Sequence, residues 1–484
     1  MKKALLFASM GLLSLSAVAQ GVDPAAYKAK EGYKLENLWL MSLGDGEKGV
    51  AMSDWNDLCT KMADATKGTM AARLGDKVYV ACSMDFVTTE SGELSTDAYG
   101  HLLVLDAATG KFIKDLTLTY EGKQLFGTLC ANCIGTDDFG HLWITPYVSD
   151  TYKAGEDGVV VPRPIPLYMV NPETGEMTKV TEFALDDVEG PEGCGRVDNC
   201  DLRGDITREK ARCVFMSIPA EGGANVVCAW HCEQGSDEWN IDVNAEGEGY
   251  CVIKCEETYP ADKVNWGYTP VVSILADDDF SGNKFYVDAH STLPALYDYS
   301  GEKIDDFSKN VPEKDNDDDP WTDFFPKDQP CGVRQFSLGG QDFLVYGVVF
   351  PEPGKPGGGV AIIKLGENGI EDATPLWLAP EAMLGEAKGG GRFTHSISIS
   401  PELTDANGKR AVEIMIFKES NGVAMYLLSE EGYVKGIEDA VADIVANGPA
   451  KFYNLNGVEV NENNLTAGVY VTLQNGVAKK VVIK

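Results

Sequence analysis

The sequence predicts an all-β fold: a β-propeller of about six four-stranded blades, followed by a small C-terminal β-sandwich-like module. Three observations predict it. Strand patterns recur along the chain, separated by turns of Asp, Asn and Gly, while helical periodicity is scarce. The strands return in similar units at near-regular intervals. The last 50 or so residues change in composition and carry their own hairpin signals.

The first unit contains strand patterns at 69–74, 77–82, 101–106 and 112–118, with Ala108-Thr109-Gly110-Lys111 turning between the last two. The second contains 127–134, 141–147, 167–170 and 177–183, with Pro172-Glu173-Thr174-Gly175 at the equivalent turn. The segments LLVLDAATGKFIKDLTL (102–118) and LYMVNPETGEMTKVTEF (167–183) align without a gap. Later units diverge: 212–218 with 225–231, 284–289 with 295–299, 342–349 with 360–365, and 410–418 with 423–429. Second strands begin near 77, 141, 212, 284, 342 and 410, at intervals of 58 to 72 residues. Four-stranded units at such intervals bury their faces against one another in a ring, and the spacing leaves room for long loops. Six blades fit this pattern, with five and seven as the neighbouring counts. A two-sheet sandwich is the alternative, but six similar units over about 390 residues are too many for one sandwich.

Asp137-Asp138-Phe139-Gly140-His141-Leu142-Trp143-Ile144 resembles the turn-and-strand of many bacterial propeller repeats, and 281–287 is a weaker copy. Gly supplies the positive φ of a tight hairpin, and the large apolar residue after it fills the core between blades. A ring also needs closing. The early strand pattern at 36–43 is expected to pair with the last blade near 423–429 and cover its exposed edge.

The N-terminus reads as a secretory signal peptide over residues 1–19. Met1-Lys2-Lys3 is followed by an apolar run over 4–15 and by Ala17-Val18-Ala19. The run is shorter than the roughly 20 residues of a membrane span. No Cys follows the cleavage site, so a lipid anchor there is not indicated. A buried N-terminal helix is the alternative. The resulting division is 1–19 signal peptide, 20–433 propeller, 434–450 linker and 451–484 C-terminal module, and no later stretch reads as a transmembrane helix.

The chain holds 41 basic and 75 acidic residues. Such a surface repels phosphate backbones and argues against nucleic acid as a partner. Twelve Cys are present. Cys82, Cys213 and Cys228 sit in apolar strand patterns and read as small core residues. Cys130-Ala-Asn-Cys133 has metal-ligand spacing but lacks a matching second pair, so structural thiols or disulfides are the expectation.

In the C-terminal module, strand patterns at 451–455, 458–460, 469–473 and 477–483 are joined by the hairpin signals Asn456-Gly457 and Asn475-Gly476. The order Gly436-Ile437-Glu438-Asp439, Phe452-Tyr453-Asn454-Leu455-Asn456-Gly457, Ala467-Gly468-Val469-Tyr470-Val471 and Lys479-Lys480-Val481-Val482-Ile483-Lys484 resembles the C-terminal sorting domain of Bacteroidetes type IX secretion substrates. The resemblance implies passage across an outer membrane, with a type IX-like translocon as partner and a secreted or cell-surface destination. The Asn-rich loop at 461–464 departs from it. An ordinary terminal β module is the alternative.

Propellers place functional side chains at the ends of the innermost strands. Here those positions include Lys67, Thr69, Cys130, Asn132, Arg196, Asp198, Asn199, Tyr268, Gln329, Arg334, Arg392, Thr394 and His395. The candidate ligand-binding set is Arg196, Asp198, Asn199, Tyr268, Arg334, Arg392 and His395, suited to an anionic or sugar ligand; a hydrated channel with structural polar groups is the plainer reading. His395 stands out because it follows Gly389-Gly390-Gly391, where a ligand can approach backbone closely. His101 and His141 follow a turn Gly in two blades, which points to a turn role.

No cofactor is expected. The acidic runs at 277–279 and 315–319 suggest Ca²⁺, but neither has an EF-hand register, so solvated loops are favoured. No nucleophile elbow, H-E-x-x-H or Walker loop occurs in a fitting context, and Gly357-Gly358-Gly359 precedes a strand, not a helix. The sequence therefore favours a non-catalytic exported protein that presents its propeller to a glycan, peptide or protein ligand. The alternative is a secreted carbohydrate-active or other hydrolytic propeller, with Trp55, Trp230, Trp239, Trp266 and Trp321 as stacking surfaces.

Overall fold

A computed structural model describes residues 30, 32–42, 66–84, 100–124, 131–146, 153–154, 159–160, 165–183, 197, 199–207, 209–218, 225–235, 251–256, 259, 266–267, 269–275, 283–316, 318–325, 331–352, 355–380, 384, 395–418, 422–435, 451–454, 459–461, 465, 468–474 and 477–483. The signal-peptide segment lies outside these residues, as do most of the linker and both C-terminal Asn-Gly turns.

The fold is all-β, with six four-stranded blades arranged as a β-propeller. From the inside outward, blade 1 is Thr66–Leu74, Lys77–Met84, Gly100–Asp106 and Phe112–Thr117. Blade 2 is Ala131–Thr136, Leu142–Pro146, Ile165–Val170 and Glu176–Phe183, widened by two short strands at Thr119–Tyr120 and Lys123–Gln124. Blade 3 is Asn199–Gly204, Arg212–Ile218, Val226–Cys232 and Cys251–Lys254. Blade 4 is Val271–Ile274, Lys284–Ala289, Thr292–Asp298 and Lys303–Asp305. Blade 5 is Val333–Leu338, Gln341–Glu352, Lys355–Gly366 and Gly369–Ala379. Blade 6 begins with His395–Ile399, Arg410–Lys418 and Gly422–Glu430. Its fourth strand is Tyr33–Ser42, from the other end of the chain. The first innermost strand neighbours both the second and the last, so the ring is closed. A separate two-stranded ribbon joins Lys153–Ala154 to Val159–Val160.

The strands read as nearly unbroken apolar runs because both faces of each blade are buried. Alternate residues of one strand feed different cores. In blade 1, Tyr79 and Ala81 join the core shared with blades 2 and 3, while Val78 and Val80 join the core shared with blade 6. In blade 3, Val214 and Met216 face one way and Cys213 and Phe215 the other. Blade 5 divides the same way: Leu344 and Tyr346 face blade 4, and Phe343 and Val345 face blade 6. Trp143 fills the core beside blade 2, and a Cβ on Gly135 would come within 2.3 Å of its ring.

The gapless sequence match has a structural cause. Asp106 Oδ1 accepts from Thr109 N (2.7 Å) and Thr109 Oγ1 (2.6 Å). Asn171 Oδ1 accepts from Glu173 N (2.9 Å) and Thr174 N (3.2 Å). Each turn then passes through a positive-φ glycine, Gly110 (69°) or Gly175 (77°). Asp298 and Gly301 rebuild the device in blade 4.

Cys213 and Cys228 are fully buried thiols, and Cys133, Cys200, Cys232, Cys255 and Cys331 are thiols as well. Among the described residues no helix is long and apolar enough to cross a membrane. Residues 402–411 and 429–484 form a second unit. Its last four strands make one antiparallel sheet in the order Glu459–Val460, Lys451–Asn454, Gly468–Gln474, Val477–Ile483.

The closing strand is anchored by Trp39, 2 % exposed, whose Nε1 donates to Ala107 O at 2.7 Å. A Cβ on Gly110 would lie 2.7 Å from that indole. Trp39→Ala is expected to lower the unfolding free energy by about 3–5 kcal/mol. Gly110→Ala should cost about 1–3 kcal/mol through its positive φ and the clash. Urea unfolding of both variants checks this.

Candidate functional site

The innermost strand of each blade has a sheet partner on one side and none on the other. Its free N–H groups need acceptors, and side chains of the preceding blade supply them. On blade 3, Asn199 Oδ1 accepts from Val272 N (3.1 Å) and Asp201 Oδ2 from Ile274 N (2.8 Å) of blade 4. On blade 6, Ser396 Oγ accepts from Ala71 N (3.1 Å) and Ser398 Oγ from Arg73 N (3.3 Å) of blade 1. Asp288 Oδ2 on blade 4 accepts from Gly332 N (2.9 Å), at the entry to blade 5. Asp137 Oδ2 and Asp138 Oδ2 on blade 2 accept from Ile206 N (2.9 Å) and Gly204 N (2.7 Å) of blade 3.

Arg334 stands on the innermost strand of blade 5 and reaches past blade 4 to blade 3. Its Nη1 and Nη2 donate to the two oxygens of Asp201, each at 2.7 Å, and Nη1 also donates to Ser273 Oγ at 3.1 Å. The Asp201 side chain is 2 % exposed and that of Arg334 28 %. Burial works against the guanidinium charge, but Asp201 outweighs it and holds the Arg334 pKa above its ordinary value. Among the described residues nothing accepts from Nε or from the second N–H of Nη2. A fixed cation with two open donors results, suited to an oxygen-rich ligand.

His395 is placed differently. It begins the innermost strand of blade 6 but is 1 % exposed, and its backbone N donates to Cys331 O. A Cβ on Gly332 would lie 2.7 Å from His395 Cβ, and one on Gly358 would lie 3.2 Å from Nε2. Gly332 thus leaves room for the His395 backbone and Cβ, and Gly358 for the Lys418 side chain and the edge of the imidazole. Asn199 is buried and works as a cap for blade 4. Arg196, Asp198, Tyr268 and Arg392 lie outside the described residues, as do Cys130, Gln329 and Thr394. Lys67, Thr69 and Asn132 fall on innermost strands. Of the predicted set, the structure therefore describes Asn199, Arg334 and His395, on blades 3, 5 and 6.

One constellation escapes sequence reasoning. Asp137, His141 and Asp205 bring their ligand atoms within 4.8 Å of one another, a donor set that fits a divalent metal. Their bonding describes a bracket instead. Asp137 Oδ1 accepts from Phe139 N (3.0 Å) and His141 N (2.7 Å), while Oδ2 takes His141 Nδ1 (2.8 Å) and Ile206 N. Asp205 Oδ1 accepts from Thr207 N (2.8 Å) and Thr207 Oγ1 (2.6 Å). The D-D-F-G-H turn was visible as a hairpin, but nothing in it names Asp205 as its neighbour. His101 pairs with Asp115 at 3.1 Å.

No protein-family model matches the sequence, and no curated protein matches it. Among solved structures, the chain is similar to a DUF4623 family protein from Bacteroides eggerthii, with 13% identity over 76% of this chain and 72% of that one at a TM-score of 0.45. It is also similar to an alpha-L-arabinanase from Penicillium chrysogenum complexed with arabinobiose, with 11% identity over 62% of this chain and 93% of that one at 0.33. A soluble aldose sugar dehydrogenase from Escherichia coli in the apo-form gives 11% identity over 82% and 99% at 0.34.

Two outcomes follow from the caps. Asp137→Ala strips acceptors from three backbone N–H groups and should cost about 3 kcal/mol, against about 1 kcal/mol for His141→Ala, read by thermal unfolding. Burial pushes the Asp288 carboxyl well above the ordinary carboxylate range, against the lowering effect of the Gly332 and Ala289 N–H groups. The folded state therefore favours the neutral acid, and ionisation costs stability as pH rises above about 4. Asp288→Asn should match the parent below that pH and exceed it increasingly as pH rises, measured as urea midpoints across the range.

Proposed function

We propose that this chain is an exported binding protein that offers the inner ring of its propeller to a glycan, peptide or protein ligand. The observation that carries the reading is Arg334. It is held bidentately by a buried aspartate, fixed further by Ser273, partly open, and with two donors uncommitted among the described residues. A cation so fixed loses little freedom on binding, which favours recognition of carboxylate, phosphate or sugar hydroxyl oxygens. The other inner-ring groups support binding over turnover. Asn199, Asp201, Asp288, Ser396 and Ser398 hold backbone N–H groups of the next blade, so using them as proton carriers would disturb the ring.

Export is the companion proposal. The signal-peptide pattern over residues 1–19 would direct the chain out of the cytoplasm, and the C-terminal module would engage a type IX-like translocon and deliver the protein to the surface or beyond. No metal or cofactor enters this reading.

The test uses the full chain on a glycan and peptide array, with product analysis on each hit. Arg334→Lys keeps the charge but loses the fork, sparing Asp201 an unpaired burial. The expected result is binding without product, weakened about tenfold in Arg334→Lys. Product formation, or binding indifferent to that substitution, would overturn the proposal.

A further inference from the structure

The connection between blades 4 and 5 carries a surface that the ring does not use. After Lys303–Asp305 the chain makes two 3₁₀ turns, Phe307–Lys309 and Thr322–Phe324, before entering blade 5. Phe307 and Phe324 are buried there, and Tyr346 Oη donates to Phe324 O at 2.7 Å. Three further rings pack on this base but remain partly exposed: Tyr259, Trp321 and Phe325. They meet edge to face. Trp321 and Phe325 have centroids 6.0 Å apart at 85°, and Tyr259 and Phe325 are 6.0 Å apart at 74°. Phe307 meets Trp321 at 5.8 Å and Phe325 at 5.7 Å. Ring orientation is thus fixed from beneath.

The chain beside these rings is strongly acidic. Residues 313–323 hold six acids and one lysine. Its backbone is pinned: Asp319 accepts from Trp321 N (2.8 Å) and Glu313 N (2.9 Å), and Asn316 Oδ1 accepts from Asp318 N (3.1 Å). Glu313, Asp318 and Asp323 are exposed. Among the described residues, the Asp318 and Asp323 carboxylates have no hydrogen-bond or ion-pair partner. Fixed aromatic faces bordered by open carboxylates attract one kind of group, an organic cation, because ring quadrupole and carboxylate charge act in the same direction.

We infer that the Tyr259–Trp321–Phe325 face with its Glu313, Asp318 and Asp323 rim docks a basic peptide segment of a partner protein, seating a Lys or Arg side chain against Trp321. Charge complementarity selects this occupant: the chain has 75 acidic against 41 basic residues, and this stretch concentrates the excess beside partly exposed rings. The surface is independent of Arg334, so either site can fail without the other.

The test is fluorescence anisotropy of a labelled oligolysine peptide with the full chain at physiological salt. Trp321→Ala and the double variant Asp318→Asn/Asp323→Asn should each weaken binding about threefold to tenfold. The double variant alters exposed carboxylates alone, so a failure to fold cannot mimic the result. Glu121→Gln/Glu176→Gln removes the same charge from exposed positions on blade 2 and should leave affinity within about twofold. Absence of oligolysine binding, equal loss in the blade 2 variant, or preference for glucosamine oligomers over the peptide would each overturn the inference.

Discussion

The inner edge of each blade is the constraint on which the rest of the molecule depends. A propeller buries the faces of its sheets but leaves one unpaired strand edge per blade around the axis. Here that edge is met by side-chain oxygens from the preceding blade, at spacings of two residues: Asn199 and Asp201 for Val272 and Ile274, Ser396 and Ser398 for Ala71 and Arg73. The two-residue period of a strand makes this possible, since its N–H groups toward the axis recur at the same interval as side chains on one face. Caps of this kind fix the register between neighbouring blades in a way that apolar packing does not.

That arrangement explains why the ring combines polar composition with little chemical freedom. Asp201 accepts from Ile274 N and from both Nη groups of Arg334. Its charge is thereby committed, and the openness of the site passes to the arginine. Asp137 shows the same economy, linking its own turn, His141 and the next blade through one carboxylate. In both cases a residue type often associated with catalysis is occupied by architecture.

The blades were largely legible because their signals are local. Paired strand patterns, the D-x-x-T-G and N-x-x-T-G turns and the early strand near 36–43 each occupy a few consecutive residues, and the structure places Tyr33–Ser42 on the last blade as its pattern suggested. The site was less legible because its contacts are not local. Arg334 and Asp201 are 133 residues apart, and Asp137 and Ile206 are 69 apart. His395 illustrates the ambiguity of glycine: flanking Gly suggested close approach of a ligand, whereas Gly332 and Gly358 clear space for His395 itself and, at Gly358, for Lys418. The aromatic face near Trp321 was visible in part as a tryptophan after an acidic run with Phe325 close behind it, but Tyr259, from the chain between blades 3 and 4, joins them only through packing.

Closure of the ring by its first strand has a further consequence for how the molecule comes together. Asn37 donates to Met425 O across 388 residues of chain, so this strand pair shares the entropy cost of closing the ring with the contacts between blades 6 and 1. For a flexible loop of that length the length-dependent part is about 5 kcal/mol. The core around Trp39, Met41, Met415 and Met425 must offset it. The seam between the first and last blades is therefore the clasp of the assembly. Until it shuts, Gly422–Glu430 presents a free edge to any strand at hand, including Tyr33–Ser42 of a second copy, and the same geometry that completes one ring can join two.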